Sequence, residues 1–202
     1  MPGLCMLWLL LSAPCLAQSK RAWHWYFGKG AGIDFSTGVA KVDGSGNMDA
    51  SEGTSTMSDE AGNLLFYSNG IQVWNRNHTL MPNGASIIGD ISSTQSTLIV
   101  PLPGNSSIYY LFSTFAATTN PNSGLFYNVI DMSLDGGLGD ITRDKNVPML
   151  TSGTEQLAGT QHCNGTDFWI VSRQANYDSL KLVAWRLTRK GLTAPVVSSI
   201  AL

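Results

Sequence analysis

Oxygen-bearing side chains at alternate positions mark the first place where this chain could do chemistry. Asp43, Ser45, Asn47 and Asp49, in the stretch DGSGNMD, have the spacing with which calcium loops gather their ligands. A helix-loop-helix calcium site also needs glycine at its sixth position and a bidentate glutamate at its twelfth, where this chain carries Met48 and Thr54. The four residues stand as calcium candidates, with a plain solvated turn as the simpler reading, because Gly, Asn and Asp are good turn formers. A second chemistry would use paired carboxylates. Asp34, Glu52, Asp59, Asp131 and Glu155 could serve as acid and base on either side of a sugar bond if the fold gathered them at one opening, although nothing in their spacing does so.

Other chemistries find less support. His24, His78 and His162 are dispersed, with no pair at metal-ligand spacing. No G-x-S-x-G elbow presents a nucleophilic serine. His162, just before Cys163, Asn164 and Gly165, reads as a turn histidine donating to a backbone carbonyl. Cys163 reads as a small buried filler rather than a nucleophile. Asp135 and Asp140 flank glycines and read as hairpin-turn residues rather than an ion site. Gly28 to Gly32, GKGAG, runs into Ile33, Asp34 and Phe35 instead of a helix, so it has no helix N-terminus to aim at a pyrophosphate and reads as a turn. Trp74, Trp169 and Trp185 are expected to fill gaps between sheets rather than stack on sugars. No catalytic residue is assigned, and calcium is the one cofactor considered.

The elements that must position these residues follow from composition. The chain has 202 residues and is 43% hydrophobic, enough for one domain with a real core. Charged residues make up 13% and the net charge is −2, so there is no basic stripe for nucleic acid and no polybasic segment for an anionic membrane. The 21 glycines, with abundant Ser, Thr and Asn, suit many short strands joined by tight turns. Residues 1–17, MPGLCMLWLLLSAPCLA, read as a secretory signal peptide cleaved before Gln18, too short to remain as a membrane span. A secreted or cell-surface location follows. Cleavage would remove Cys5 and Cys15 and leave Cys163 alone, without a disulfide framework.

Ala22 to Phe27, AWHWYF, alternates as a strand, with Trp23, Trp25 and Phe27 on one face and His24 and Tyr26 on the other. Thr54 to Gly84 predicts a strand at Thr54 to Met57, a turn at Asp59 to Asn63, an aromatic strand at Leu64 to Tyr67, a third strand at Ile71 to Trp74 and a polar turn at Asn75 to His78. The same grammar recurs at Thr97 to Phe112 and at Glu155 to Val171. VIDMSLDGGL at Val129 to Leu138 also lines up with VAWRLTRKGL at Val183 to Leu192. Aromatic strands thus begin at Leu64, Ile108 and Phe168, separations of about 45 and 60 residues, near the roughly 40 to 50 of a four-stranded propeller blade. Leu180, Val183, Ala184 and Leu187 also satisfy a helical template, but Val183, Trp185 and Leu187 alternate, so Lys181 to Leu187 reads as a strand. The expected fold is all-β: a partial β-propeller, WD40-like or YVTN-like, of about three four-stranded antiparallel blades near residues 54–89, 94–150 and 155–202, within one domain over 18–202.

The stretches AGIDFSTG, GNLLFYSNGIQVWNRNHTLMPNG, SSTQSTLIVPLPG, GLFYNVIDMSLDGGLGDI and HCNGTDFWIVSR cover most of the chain after the signal segment. With them, the chain resembles the N-terminal domain of large secreted proteins of gliding bacteria that carry a type IX secretion (type B) sorting domain. The resemblance implies a propeller-like head on a multidomain surface protein, with further domains of the same polypeptide after Leu202. Three blades cannot close a ring of the usual four to eight, so a fragment of a larger propeller is expected. The function this reading implies is non-catalytic recognition or scaffolding in gliding motility, adhesion or polymer binding, with a surface polymer, glycan or protein as partner. Loops such as Phe115 to Ser123 would present the contacts. The alternatives are a propeller-type carbohydrate hydrolase or lyase using the five carboxylates, and a structural spacer.

Overall fold

The computed structural model describes residues 20–115, 124–176 and 179–200, so the signal-peptide reading of residues 1–17 and residues 116–123 of the expected ligand loop lie outside the described residues. A 3-10 turn at Lys20–Ala22 leads into β1 (His24–Phe27), β2 (Ala31–Asp34) and β3 (Lys41–Val42). The chain continues through β4 (Ser55–Ser58), β5 (Leu64–Ser68) and β6 (Val73–Asn75). Then come β7 (Thr97–Pro101), β8 (Ile108–Thr114), β9 (Gly124–Asp131), β10 (Asp140–Ile141) and β11 (Val147–Thr151). The last group is β12 (Gly153–Gln161), β13 (Phe168–Asn176), β14 (Ser179–Thr188), β15 (Gly191–Leu192) and β16 (Val196–Ile200).

These strands make four small antiparallel sheets. Two are three-stranded, β1-β2-β3 and β4-β5-β6. The other two are five-stranded: β7-β8-β9-β10 with β11 beside β9, and β12-β13-β14-β15 with β16 beside β14. Among the described residues there is no α-helix, no closed or propeller ring, and no helix long and apolar enough to cross a membrane. The expectation of about three four-stranded units is thereby corrected. There are four sheets, and none of them has four strands. The extra sheet is the N-terminal one, whose third strand is only two residues long and leaves little periodicity to read. Residues Lys181 to Leu187 are strand, inside β14, where they pair with β13 in a register that puts Trp185 opposite Ile170 and Leu187 opposite Phe168. The third strand of the second sheet begins at Val73 rather than Ile71, because the Asn69 side-chain oxygen accepts from Ile71 N (3.1 Å) and Gln72 N (2.9 Å) and bends the chain there.

A hydrophobic core fills each space between consecutive sheets. Tyr26, Met48 and Ala50 meet Tyr67 and Trp74 between the first and second. Met57, Phe66 and Val73 meet Ile99, Tyr109, Leu111 and Ile130 between the second and third. Val100, Phe112 and Leu125 meet Leu157, Ile170, Val183 and Trp185 between the third and fourth. The inner sheets are covered on both faces, so their central strands read as continuous apolar runs such as LLFY and IYYLF instead of alternating.

The first strands of successive sheets also run side by side, β1 near β4, β4 near β7, and β7 near β12. Side-chain bonds carry most of the contact at these seams, beside a few backbone bonds such as Gly53 N to Ser93 O (3.2 Å). Tyr26 N donates to Thr56 Oγ1 (2.9 Å), and Thr54 Oγ1 donates to Tyr26 O (3.1 Å). Ser55 Oγ donates to Thr97 O (2.8 Å), and Ser96 Oγ donates to Gly53 O. Leu157 N donates to Gln95 Oε1 (2.7 Å). Each bond satisfies a polar group that the packing of sheet on sheet removes from water.

Truncating a core side chain should cost far more than truncating the outer face of the first sheet. In urea denaturation, Phe66→Ala is expected to lose about 3–5 kcal/mol. Val42→Ala, at a residue 93% exposed, should stay within about 0.5 kcal/mol of the parent.

Candidate functional site

The turn that joins the first two strands is built alike in the second, third and fourth sheets. After β4, Asp59 Oδ1 accepts from Asn63 N (2.8 Å). After β7, Asn105 Oδ1 accepts from Ser107 N (2.8 Å) and Ile108 N (3.1 Å). After β12, Asn164 Oδ1 accepts from Thr166 N (3.1 Å) and Asp167 N (3.0 Å). A short Asx side chain satisfies turn N–H groups each time, which fixes the loop without apolar packing and leaves its outer surface polar. Gly104 and Gly165 take positive φ (74° for both), the left-handed conformation a tight turn needs and a side chain resists.

These three turns border one cleft of about 570 Å³. Its walls are Glu60 from the first turn, Pro101 to Ser106 from the second, and Gln161, Gly165, Thr166 and Phe168 from the third, with Arg21 from the N-terminal segment. Arg21 is anchored on the core beneath: its Nη1 donates to the Tyr109 hydroxyl (3.2 Å), and its Nη2 pairs with Glu60 Oε1 at 3.0 Å. A second compartment of about 420 Å³ shares Pro103, Gly104 and Thr166 with the first and extends it to the β14–β15 turn, where Arg186, Thr188, Arg189 and Lys190 form the wall. Arg186 Nε lies 3.6 Å from Asp167 Oδ2. Together the compartments form one groove in which hydroxyls, amides and charged side chains alternate with proline rings and other apolar surface.

The calcium candidates have a different setting. Tyr26, Tyr67 and Trp74 stack in series at the first seam, with centroids 4.6 Å and 5.5 Å apart. Tyr26 is clamped between Gly32 and Gly46, where an added Cβ would come within 2.9 and 2.7 Å of its ring. Its hydroxyl donates to Asp43 Oδ2 (2.5 Å), and Ser45 Oγ donates to Asp43 Oδ1 (2.6 Å). His78 Nε2 lies 2.9 Å from Ser45 Oγ, and His78 Nδ1 lies 3.2 Å from the Tyr67 hydroxyl, which accepts from Asn47 N (3.0 Å). All roles are satisfied when Tyr67 donates to Nδ1 and Nε2–H donates to Ser45. The Asn47 amide donates to His78 O (2.6 Å), and Asp49 forms a β-bridge with Lys29. Protein groups thus hold the DGSGNMD loop against the second sheet. Among the described residues no three His, Cys, Asp or Glu side chains are grouped as metal ligands. Ser45, His78 and Asp43 do not form a nucleophilic triad, because the carboxylate bonds the serine and a tyrosine occupies the second histidine nitrogen.

The five carboxylates of the glycosidase reading are not among the residues lining either compartment. Asp34 accepts from Ser36 N (2.7 Å), Asp131 from Ser133 N (2.8 Å), and Glu155 from Thr94 N (2.9 Å) across the seam between the third and fourth sheets. Asp34, Asp43, Asp90 and Asp131 each stand two residues before a serine whose N–H and hydroxyl both bond the carboxylate, a repeated Asp-x-Ser turn visible in the sequence. Cys163 is exposed, not a buried filler, because it sits at the tip of the turn after β12. His162 Nδ1 accepts from Asn164 N (3.1 Å) instead of donating to a carbonyl. Trp74 and Trp185 are buried between sheets, while Trp169 is half-buried beside the His162 ring, centroids 5.4 Å apart.

Comparison with known proteins returns no matching family model, no matching curated protein and no matching solved structure.

The first seam carries a definite pH signature. Burial first, and then the bond to Asp43, pushes the Tyr26 phenol well above its ordinary value. Burial raises Tyr67 as well, against the N–H of Asn47. Burial also opposes the charge on Asp43, but hydrogen bonds from Ser45 and Tyr26 outweigh it and hold the carboxyl below its usual range. A raised phenol stabilises the fold fully below about pH 10 and loses that contribution as pH climbs through the raised value, whereas the depressed carboxyl loses its contribution as pH falls through the lowered one. Tm measured against pH should therefore drop above about pH 10, less steeply in Tyr26→Phe than in the parent. Equal slopes would contradict the assignment.

Proposed function

We propose that this chain is a non-catalytic recognition module, exported and displayed at or released from the cell surface, that holds an extended polymer in the groove across its first-strand turns. The observation that carries the reading is convergence: turns at the same position in three successive sheets, each held by an Asp or Asn side chain, border one cleft. A rigid stack with polar turns on one edge is the arrangement by which scaffold folds present binding loops. Catalysis by opposed carboxylates finds no support in the cleft, where Glu60 is engaged by Arg21 and Asp167 lies beside Arg186.

A finer architecture accompanies this reading: the four sheets are successive blades in an open arc of a propeller. It is supported by the meander order within each sheet, by the cores between consecutive sheets, and by the succession of first strands. In a propeller those strands line the centre, and the turns that follow them share one rim. The resemblance of the sequence to the heads of type IX secreted, gliding-associated surface proteins agrees with export and with a role in adhesion or polymer binding.

The test is a blocked groove. Thr166→Trp and Ser106→Trp place bulk between the two turns at residues that the core does not use. The parent chain should be retained on surface-polymer matrices and both variants should elute freely, with unchanged far-UV circular dichroism. Undiminished retention of both variants would remove the groove from the function.

A further inference from the structure

The charges along the groove are not balanced. Its cations are Arg21, Arg186, Arg189 and Lys190, and its carboxylates are Glu60 and Asp167. Arg21 is matched by Glu60 at 3.0 Å and Arg186 by Asp167 at 3.6 Å. Arg189 and Lys190 form no ion pair among the described residues. Two uncompensated positive charges thus stand at one end of the groove in a protein whose net charge is −2. They occupy the short turn between β14 and β15, whose backbone is fixed by Thr188 Oγ1 donating to Gly191 O (3.0 Å) and accepting from Lys190 N (3.1 Å). Arg189 is exposed, and its guanidinium leans toward the neighbouring turn, with Nη2 3.7 Å from the point where a Cβ on Gly104 would stand.

We infer that the groove takes an acidic polysaccharide, with the carboxylates of the chain paired to Arg189 and Lys190 and its neutral portions lying along the hydroxyl and amide floor. This rests on the recognition reading above and names its ligand class. A planar guanidinium beside an ammonium matches a carboxylate better than any neutral sugar could. The rest of the groove fits sugar rings: the Ser106 and Thr166 hydroxyls and the Gln161 side-chain oxygen, whose amide nitrogen bonds Gly165 O (2.7 Å), supply groups for sugar hydroxyls, and half-buried Pro101 and Phe168 supply apolar faces.

Binding of the full chain to polygalacturonate, to its fully methyl-esterified form and to poly-glutamate, measured by isothermal titration calorimetry at low and moderate salt, tests the inference. Polygalacturonate should bind and weaken as salt rises. The paired variant Arg189→Gln with Lys190→Gln, both at exposed positions, should bind it about tenfold more weakly or worse with an unchanged Tm. Equal affinity for the methyl-esterified polymer, or no effect of the paired variant, would overturn the acidic ligand while leaving a groove that binds neutral chains. Tighter binding of poly-glutamate would overturn the polysaccharide. Failure to bind any of the three, together with no retention on surface-polymer matrices, would overturn both this inference and the recognition reading.

Discussion

Everything in this protein depends on the seams at which one small sheet meets the next. An isolated two-stranded hairpin is marginal in water and a three-stranded sheet stands at the lower limit, where a packed hydrophobic face is needed; here two of the four sheets have only three strands. Apolar cores between consecutive sheets supply most of the cohesion, because burying such surface is the main favourable term in folding. The hydrogen bonds donated by the Thr54, Ser55 and Ser96 hydroxyls, and the one that Gln95 Oε1 accepts from Leu157 N, fix how the first strands lie against one another. Without them, buried carbonyl and N–H groups would be left unpaired at the point where the sheets come closest.

The same seams determine where the turns go. Because β4, β7 and β12 lie in succession, the turns that follow them fall on one edge, and the groove is a by-product of the stacking rather than a separate construction. Arg21 links the two levels. Its guanidinium rests over the Tyr109 ring and bonds the tyrosine hydroxyl, while its other nitrogen meets Glu60 at the groove wall. The first seam shows a different solution, in which an aromatic stack is tied by a closed circuit of phenol, carboxylate, hydroxyl and imidazole. Polar networks of this kind hold a packed interface in one arrangement, provided every member finds a partner.

Much of this was legible in the residues themselves. The aromatic strands at Leu64, Ile108 and Phe168, and the turns between them, could be read because β-branched and aromatic runs bounded by Gly, Asn and Asp fit little else. The strand at Lys181 to Leu187 could be separated from a helix by the alternation of Val183, Trp185 and Leu187, which all face the core between the third and fourth sheets. The first sheet was harder. Its alternation marked a strand correctly, yet Tyr26 is the buried residue while Trp25 and Phe27 are 49% and 40% exposed, because the inner position is shaped by glycines and by a carboxylate waiting for a phenol. The site was hidden for a related reason. PLPGNS and HCNGTD each look like an ordinary turn, and only the stacking of sheets brings residues some 60 positions apart to one cleft. Ser45 and His78 likewise meet across 33 residues with no local signal.

If the seams make one cooperative body, the sheets cannot open separately. Native-state hydrogen exchange across a denaturant series tests this most directly, following amides of β4, β7, β8, β12 and β13. The account predicts that these amides converge on a single opening free energy equal to that of global unfolding. Separate plateaus for the second, third and fourth sheets would contradict it, since turns carried by independently opening sheets could not hold one groove.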